Sequence, residues 1–246
     1  MIDQQKAKEA YDSFIEKAEN DGRIIGIILS GGRGKDAQSE NSDYDVILIT
    51  TDEGFDSVKQ DYPKSDFIDS LPHAISEFRD YAKSGTRSQY DKYTFTHNKA
   101  VLDKTGEIQK LVDDKGALEP DFIKKAVHDA LGGYQNSLHR ALKNTRDGNV
   151  LAGLLDASET IPRILNFIFA LEGRVRPFNK FLAWELDNYP LEKLPMESKD
   201  LLLKIETIAK TGDVEIQKEI LAMIRQMAIA NGFSEEIADW DGYYFG

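Results

Sequence analysis

The chain has 246 residues, of which 41% are hydrophobic and none is cysteine, and 43 acidic against 31 basic side chains leave a net charge of −12. That length can bury one large core or two modest ones, and the missing cysteines exclude disulfides and thiolate metal sites. The charge disfavours nucleic acid as a partner unless a local basic patch intervenes, and it would steer a cationic ligand inward.

Residues 3–20 place Ala7, Ala10, Tyr11, Phe14, Ile15 and Ala18 at helical spacing, and Asp21-Gly22 ends that helix. The start MIDQQKAKEA is polar, unlike a signal peptide, and no apolar run approaches the ~20 residues of a membrane span, so a cytoplasmic location is expected. RIIGIILS (23–30) is a continuous β-branched run and reads as a buried strand. YDVILIT (44–50) reads as a second strand. Its alternation sends Asp43, Asp45 and Ile47 to one face and Tyr44, Val46 and Leu48 to the other. The polar region 52–74 carries no assignable element. AISEFRDYAK (74–83) predicts a helix. YDKYTFTHNKAVLDKTGEI (90–108) predicts extended structure: a strand, a bend, and a second short strand ending at Asp103 before the turn Lys104-Thr105-Gly106. From Pro120 onward five segments carry helical periodicity with stops at glycine. Early strands followed by late helices predict an α+β chain, with a first domain over 1–115 and a helical bundle over 116–246.

The chemistry concentrates in SGGRGKDAQSENSDYD (30–45). Gly31, Gly32 and Gly34 remove the side chains that would hold another molecule away from the backbone, and amides in such a turn can cradle an anion. Arg33 and Lys35 add positive charge, and arginine suits bidentate contact with phosphate. Asp43 and Asp45, on one strand face, repel by roughly 2 kcal/mol at ~7 Å and an effective dielectric of ~20. A divalent cation between them would convert that cost into affinity.

Gly31-Gly32, ten intervening residues and Asp43-Tyr44-Asp45-Val46, bounded by apolar strands, resemble the signature of the nucleotidyltransferase superfamily with the DNA polymerase β-type fold. A small transferase domain followed by helices is similar to the bacterial antibiotic nucleotidyltransferases of the streptomycin and kanamycin type, and AVLDKTGEI resembles a segment near the end of their catalytic domain. The resemblance implies a polymerase β-like first domain, a small mixed sheet with helices, ahead of an acceptor-binding helical domain. It implies magnesium-dependent transfer of a nucleoside monophosphate, AMP from ATP or its equivalent from another NTP, to a hydroxyl of a small, aminoglycoside-like acceptor. Gly31, Gly32 and Arg33 would hold the triphosphate, and Asp43 and Asp45 would hold two magnesium ions ~3.5–4 Å apart. The pair's second position is glycine where the family also uses serine, so Ser30 is the substitute hydroxyl. The family also expects a third carboxylate on a later strand. Asp91 is the first candidate and Asp103 the second.

In the helical half, ALEGRVRPFNKFLAWEL (170–186) gathers Glu172, Arg174, Arg176 and Lys180 around a break at Gly173. It reads as a basic edge for phosphates or as a solvated helix start, and similar transferases contribute a lysine from their helical domain, which points to Lys180. Asp156 and Glu159 lie three apart on a mostly apolar helix. Glu159 is a candidate general base or grip on a cationic acceptor, and Arg163 is its competing partner. His73, His97, His128 and His139 read as structural, and the aromatic end DWDGYYFG identifies no ligand. Two other functions stay in view: a non-catalytic nucleotide-binding or antitoxin-like module, and transfer onto a protein. Monomer and homodimer are equally compatible with the sequence.

Overall fold

Asp3 caps the first helix, its carboxylate accepting the Lys6 amide at 3.2 Å, and α1 (Gln4–Glu19) follows. Then come β1 (Ile24–Leu29), the single turn α2 (Gly31–Gly34), β2 (Tyr44–Thr50), α3 (Phe55–Asp61), β3 (Ile68–Ala74) and α4 (Ile75–Asp80). A 3-10 turn (Gln89–Asp91) leads into α5 (Lys92–Phe95), β4 (Ala100–Asp103) and α6 (Ile108–Lys115). These elements make up one of two compact units, Met1–Ala117 and Leu118–Gly246; the computed structural model describes residues 2–240.

The sheet order is β3-β2-β1-β4. β1 runs antiparallel to β2 and β4, whereas β3 runs parallel to β2, so the small sheet is mixed. The two central strands are apolar on both sides because each sheet face carries its own core. Ile24, Ile27, Tyr44, Val46 and Leu48 pack with Ala7, Val58 and Tyr62 on one face. Ile28, Ile47 and Ile49 pack with Phe78, Phe95, Ile108 and Val112 on the other. At roughly 2 kcal/mol per buried aliphatic side chain, these two layers fix the register of β2 and hence the direction of its acids.

The structure corrects the sequence reading in two places here. Residues 89–95 are helical, not extended: Lys92, Tyr93 and Phe95 are all buried, which a strand would require of both its faces but a helical turn of about half its circumference. The unassigned region 52–74 supplies α3 and the edge strand β3, where Pro72 is tolerated at the sheet margin.

Lys115 is buried at 3% exposure, with Nζ 3.4 Å from the Arg79 carbonyl and 4.7 Å from the centre of the Phe78 ring. Burial first, then the charges of Lys83 and Lys92, push its ammonium down to about 8 from 10.5. Below pH 8 both folded and unfolded chains hold this proton, and the cost of burying it is fully present. Between 8 and 10.5 only the unfolded chain holds it, so this group makes stability rise with pH. Tyr62, held at about 12 by burial and then by Asp21, acts oppositely once the unfolded phenol begins to ionise near pH 10. The denaturant midpoint of the wild type is therefore expected to gain on that of Lys115→Met between pH 8 and 10, with parallel curves as the contrary result.

The second unit is helical: α7 (Pro120–Arg146), α8 (Val150–Leu171), α9 (Leu182–Asn188), α10 (Ser198–Thr211) and α11 (Val214–Ala230), with 3-10 turns at Asn179–Phe181 and Glu235–Trp240. α7 and α8 form a long hairpin around Leu131, Tyr134, Leu138, Ile164, Leu165 and Ile168, and Trp240 packs 6.0 Å from the Tyr134 ring. The final residues of the aromatic tail, 241–246, lie outside the described residues. Among the described residues no helix is long and apolar enough to cross a membrane.

Candidate functional site

The chain leaves β1 at Ser30, makes one turn, and returns into β2. Ser30 N–H donates to the Asp45 carbonyl at 2.8 Å, extending the β1–β2 ladder by one rung. Gly31 then adopts φ +61°. A Cβ there would stand 1.9 Å from Asp45 Oδ2, so the Asp45 carboxylate lies directly against the bare backbone of the turn. Gly34 is required for another reason: its Cβ would meet the Leu29 carbonyl oxygen at 2.3 Å. The amides of Gly31, Gly32 and Arg33 open the turn, with no carbonyl one turn behind them in the helix.

The two basic residues of the loop are engaged within the protein. Arg33 Nε donates to the Asp43 carbonyl at 3.1 Å and Nη2 to the Ser42 carbonyl at 2.9 Å; Nη2 also reaches Gln4 Oε1. Its guanidinium lies 3.9 Å from the centre of the Tyr44 ring, which stacks on Tyr11 at 4.2 Å. Nε and Nη2 of Arg33, expected to meet phosphate, are thus engaged by the carbonyls just before β2. Lys35 is buried, with Nζ donating to the Thr96 carbonyl and, at 3.1 Å, to Asn98 Oδ1. Ser30, the expected substitute hydroxyl, is 2% exposed, and its hydroxyl donates to the Asp45 carbonyl at 3.3 Å.

The third acid beside β2 is one the sequence reading passed over. Parallel pairing sets Asp45 opposite Asp69 of β3, and laterally paired residues share a sheet face. Asp43 precedes β2 by one residue. Lys64, in the segment before β3, places Nζ 2.9 Å from Asp69 Oδ2. That hydrogen bond, with the Asp69, Asp43 and Asp45 charges behind it, holds the ammonium above its ordinary value. Lys64 thus lies against Asp69, the strand partner of Asp45.

Asp91 does not occupy the strand position expected of it. It precedes α5 and accepts the Tyr81 hydroxyl at 2.7 Å, while the Tyr81 ring lies 4.6 Å from His73. His73 is four residues, or about 13 Å of strand, beyond Asp69. Burial, then the bond to Asp91, keeps the Tyr81 phenol protonated well above its usual range. Asp103 ends β4 opposite Gly26 and works as a cap. Its carboxylate accepts the amides of Thr105, Gly106 and Gln109. Burial opposes its ionisation, but those amides outweigh it and hold the carboxyl below its usual value.

In the helical unit, Glu159 pairs with Arg140 of α7 at 2.8 Å, not with Arg163, and Asp156 takes the same guanidinium at 3.0 Å. Glu159, expected as a base or acceptor contact, is thus held in an exposed ion pair across the hairpin. Lys180 is exposed in the turn Asn179–Phe181, with its ammonium 5.3 Å from the centre of the Phe181 ring. Arg176 lies outside that turn. Arg176 Nη2 donates to Asn179 Oδ1 at 2.7 Å, and burial lowers its pKa.

The donor set at the sheet edge is all carboxylate, hard oxygen without sulfur, the chemistry that suits magnesium or manganese. Gly31, whose missing side chain leaves room for Asp45, completes the fit. Among the described residues, however, no three acidic or imidazole groups are already drawn together as a metal cage. Asp69 spends an oxygen on Lys64 instead.

No protein-family model matches this sequence, and no curated protein does. Among solved structures, a crystal structure of a nucleotidyltransferase-like protein from Exiguobacterium sibiricum 255-15 is similar at 12% identity, with a TM-score of 0.46, over 94% of this chain and 78% of that one. At that similarity the roles of the residues rest on the geometry of this chain.

Proposed function

We propose that the chain is a magnesium-dependent nucleotidyltransferase of the polymerase β type, moving a nucleoside monophosphate, AMP from ATP, to the hydroxyl of a small acceptor. The observation that carries this reading is the contact of the Gly31 turn with Asp45, itself paired across the sheet with Asp69 and preceded by Asp43. A turn bare of side chains and the paired Asp45 and Asp69, with Asp43 just ahead of β2, would then form one ledge. Asp43, Asp45 and Asp69 would hold the divalent ions, and Gly31 and Gly32 would let phosphate oxygens reach the turn amides. Bound divalent ions would supply charge neutralisation of the triphosphate and a more acidic acceptor hydroxyl. Arg33 supports the site from behind by gripping the Ser42 and Asp43 carbonyls and packing on Tyr44. Transfer of this kind asks for alignment and charge stabilisation, so few protein groups suffice. The acidic surface is compatible with a cationic, aminoglycoside-like acceptor.

A second reading, binding of nucleotide without transfer, is favoured by one observation: the three acids are not gathered as a metal cage among the described residues. One experiment separates the two. Thermal unfolding is followed with each of the four common ribonucleoside triphosphates plus magnesium, and α-labelled ATP is incubated with the protein and a cell extract. Saturating ligand at 100 times Kd contributes about 2.7 kcal/mol, so a shift of roughly 5–10 °C is expected, together with label in a new small product. A shift without labelled product supports the binding module, label in protein supports a protein acceptor, and no shift with any nucleotide overturns both readings.

A further inference from the structure

We propose that Lys64 is the resident counter-cation of the acidic ledge, and that a divalent ion must displace its ammonium from Asp69 in order to bind. The inference rests on the reading of Asp43, Asp45 and Asp69 as a cation site and adds what governs its occupancy.

The base of Lys64 is fixed beside the site. The next residue, Ser65, donates its amide to the Ile68 carbonyl at 2.9 Å and accepts the Ile68 amide on its hydroxyl at 3.2 Å. This small loop ties the backbone next to Lys64 to the first residue of β3, one position before Asp69. The side chain itself is 66% exposed, so its ammonium is tethered yet free to swing out, while Asp69 is 27% exposed. An exposed pair of this kind contributes little to folding. Its consequence is electrostatic: three carboxylates carry −3, and Lys64 reduces this to −2, the charge that one divalent ion balances. The arrangement relieves acid–acid repulsion when no metal is present and keeps monovalent ions from competing. It also sets a threshold, since each divalent ion must overcome one local positive charge. Asp69 therefore points one oxygen to Lys64 instead of joining Asp43 and Asp45 in a ready-made cage.

The test is titration of the nucleotide-free protein with Mn2+ alone, reading free Mn2+ by electron paramagnetic resonance at low salt and neutral pH. Wild type is compared with Lys64→Ala, Lys64→Arg and Asp69→Asn, with metal-free thermal unfolding as the fold control. Lys64→Ala is expected to unfold within a few degrees of wild type and to bind Mn2+ about tenfold more tightly, the effect of one nearby unit charge on a divalent ion. Lys64→Arg should bind as wild type does, and Asp69→Asn should bind more weakly. If Lys64→Ala binds no more tightly than wild type while Asp69→Asn loses binding, the cation site stands and the role given to Lys64 falls. If Asp69→Asn binds as wild type does, Lys64 does not guard the site and the proposal is overturned. If neither wild type nor Lys64→Ala binds Mn2+, the cation-site reading fails and takes this proposal with it.

Discussion

On the proposed transferase reading, replacing Asp69 with asparagine is expected to abolish transfer, by roughly 1000-fold or more, while Asp91→Asn leaves it within about twofold. Asp91 is the first candidate from the sequence for the carboxylate beside Asp45, but Asp69 is the acid that has the position. It is paired with Asp45 across parallel strands, whereas Asp91 lies before a helix with its oxygen on Tyr81. Asparagine keeps the size of the side chain and the strand, so the edge of the sheet should fold as before. What is lost is a negative charge where a divalent ion would need it, and metal stabilisation of a phosphoryl transition state is worth several kcal/mol, with ~1.4 kcal/mol per tenfold. Asp91→Asn should instead appear as a change in stability, because a neutral amide accepts the Tyr81 hydroxyl less well than a carboxylate does. The measurement is release of label from α-labelled ATP into the product identified with wild type, alongside calorimetry of Mn–ATP binding. Loss of both in Asp91→Asn with Asp69→Asn unaffected would reverse the assignment.

Why Asp69 escaped the sequence reading, when Asp43 and Asp45 did not, follows from the range over which each is specified. The alternation YDVILIT is local, and the structure sorts it as read: Ile47 and Ile49 lie in one core, Tyr44, Val46 and Leu48 in the other. The glycine turn is local too, and only its helical form was hidden. Asp69 gains its meaning from a parallel strand pair, with no hairpin turn to announce it. Its own strand, IDSLPHA, carries a serine, a proline and a histidine, because an edge strand buried chiefly at Ile68 needs no apolar run. Arg33 and Glu159 show a related dependence on distant partners. Their residue types pointed to ligands, but the partners that claimed them are the Ser42 and Asp43 carbonyls and Arg140 of the preceding helix. Those partners come close only when a loop closes or two helices pair. In the same way, 90–95 reads as a strand from its alternation, and burial of Lys92 beside Tyr93 in a helical turn is what that alternation could not show.

Gly31→Ala should damage the site more than the fold, and Gly34→Ala the fold more than the site. At Gly31 two costs combine. Alanine at φ +61° pays ~1–2 kcal/mol for the left-handed conformation, which for a chain of this size lowers Tm by roughly 2–8 °C. Its methyl would also sit 1.9 Å from Asp45 Oδ2 and 2.8 Å from Cγ, an overlap that only movement of the carboxylate relieves. Because a side chain can rotate away, the protein should survive, but with Asp45 driven off the ledge. Mn–ATP affinity is expected to fall at least tenfold, the scale seen when a metal ligand is misplaced by its surroundings. At Gly34 the methyl would meet the Leu29 carbonyl at 2.3 Å, backbone belonging to a central strand that has no such freedom. Gly34→Ala should therefore lose more thermal stability than Gly31→Ala. Calorimetry and thermal unfolding on both variants separate the two effects. Full Mn–ATP affinity in a folded Gly31→Ala protein would mean that Asp45 does no work against the turn, and the ledge would lose its central contact.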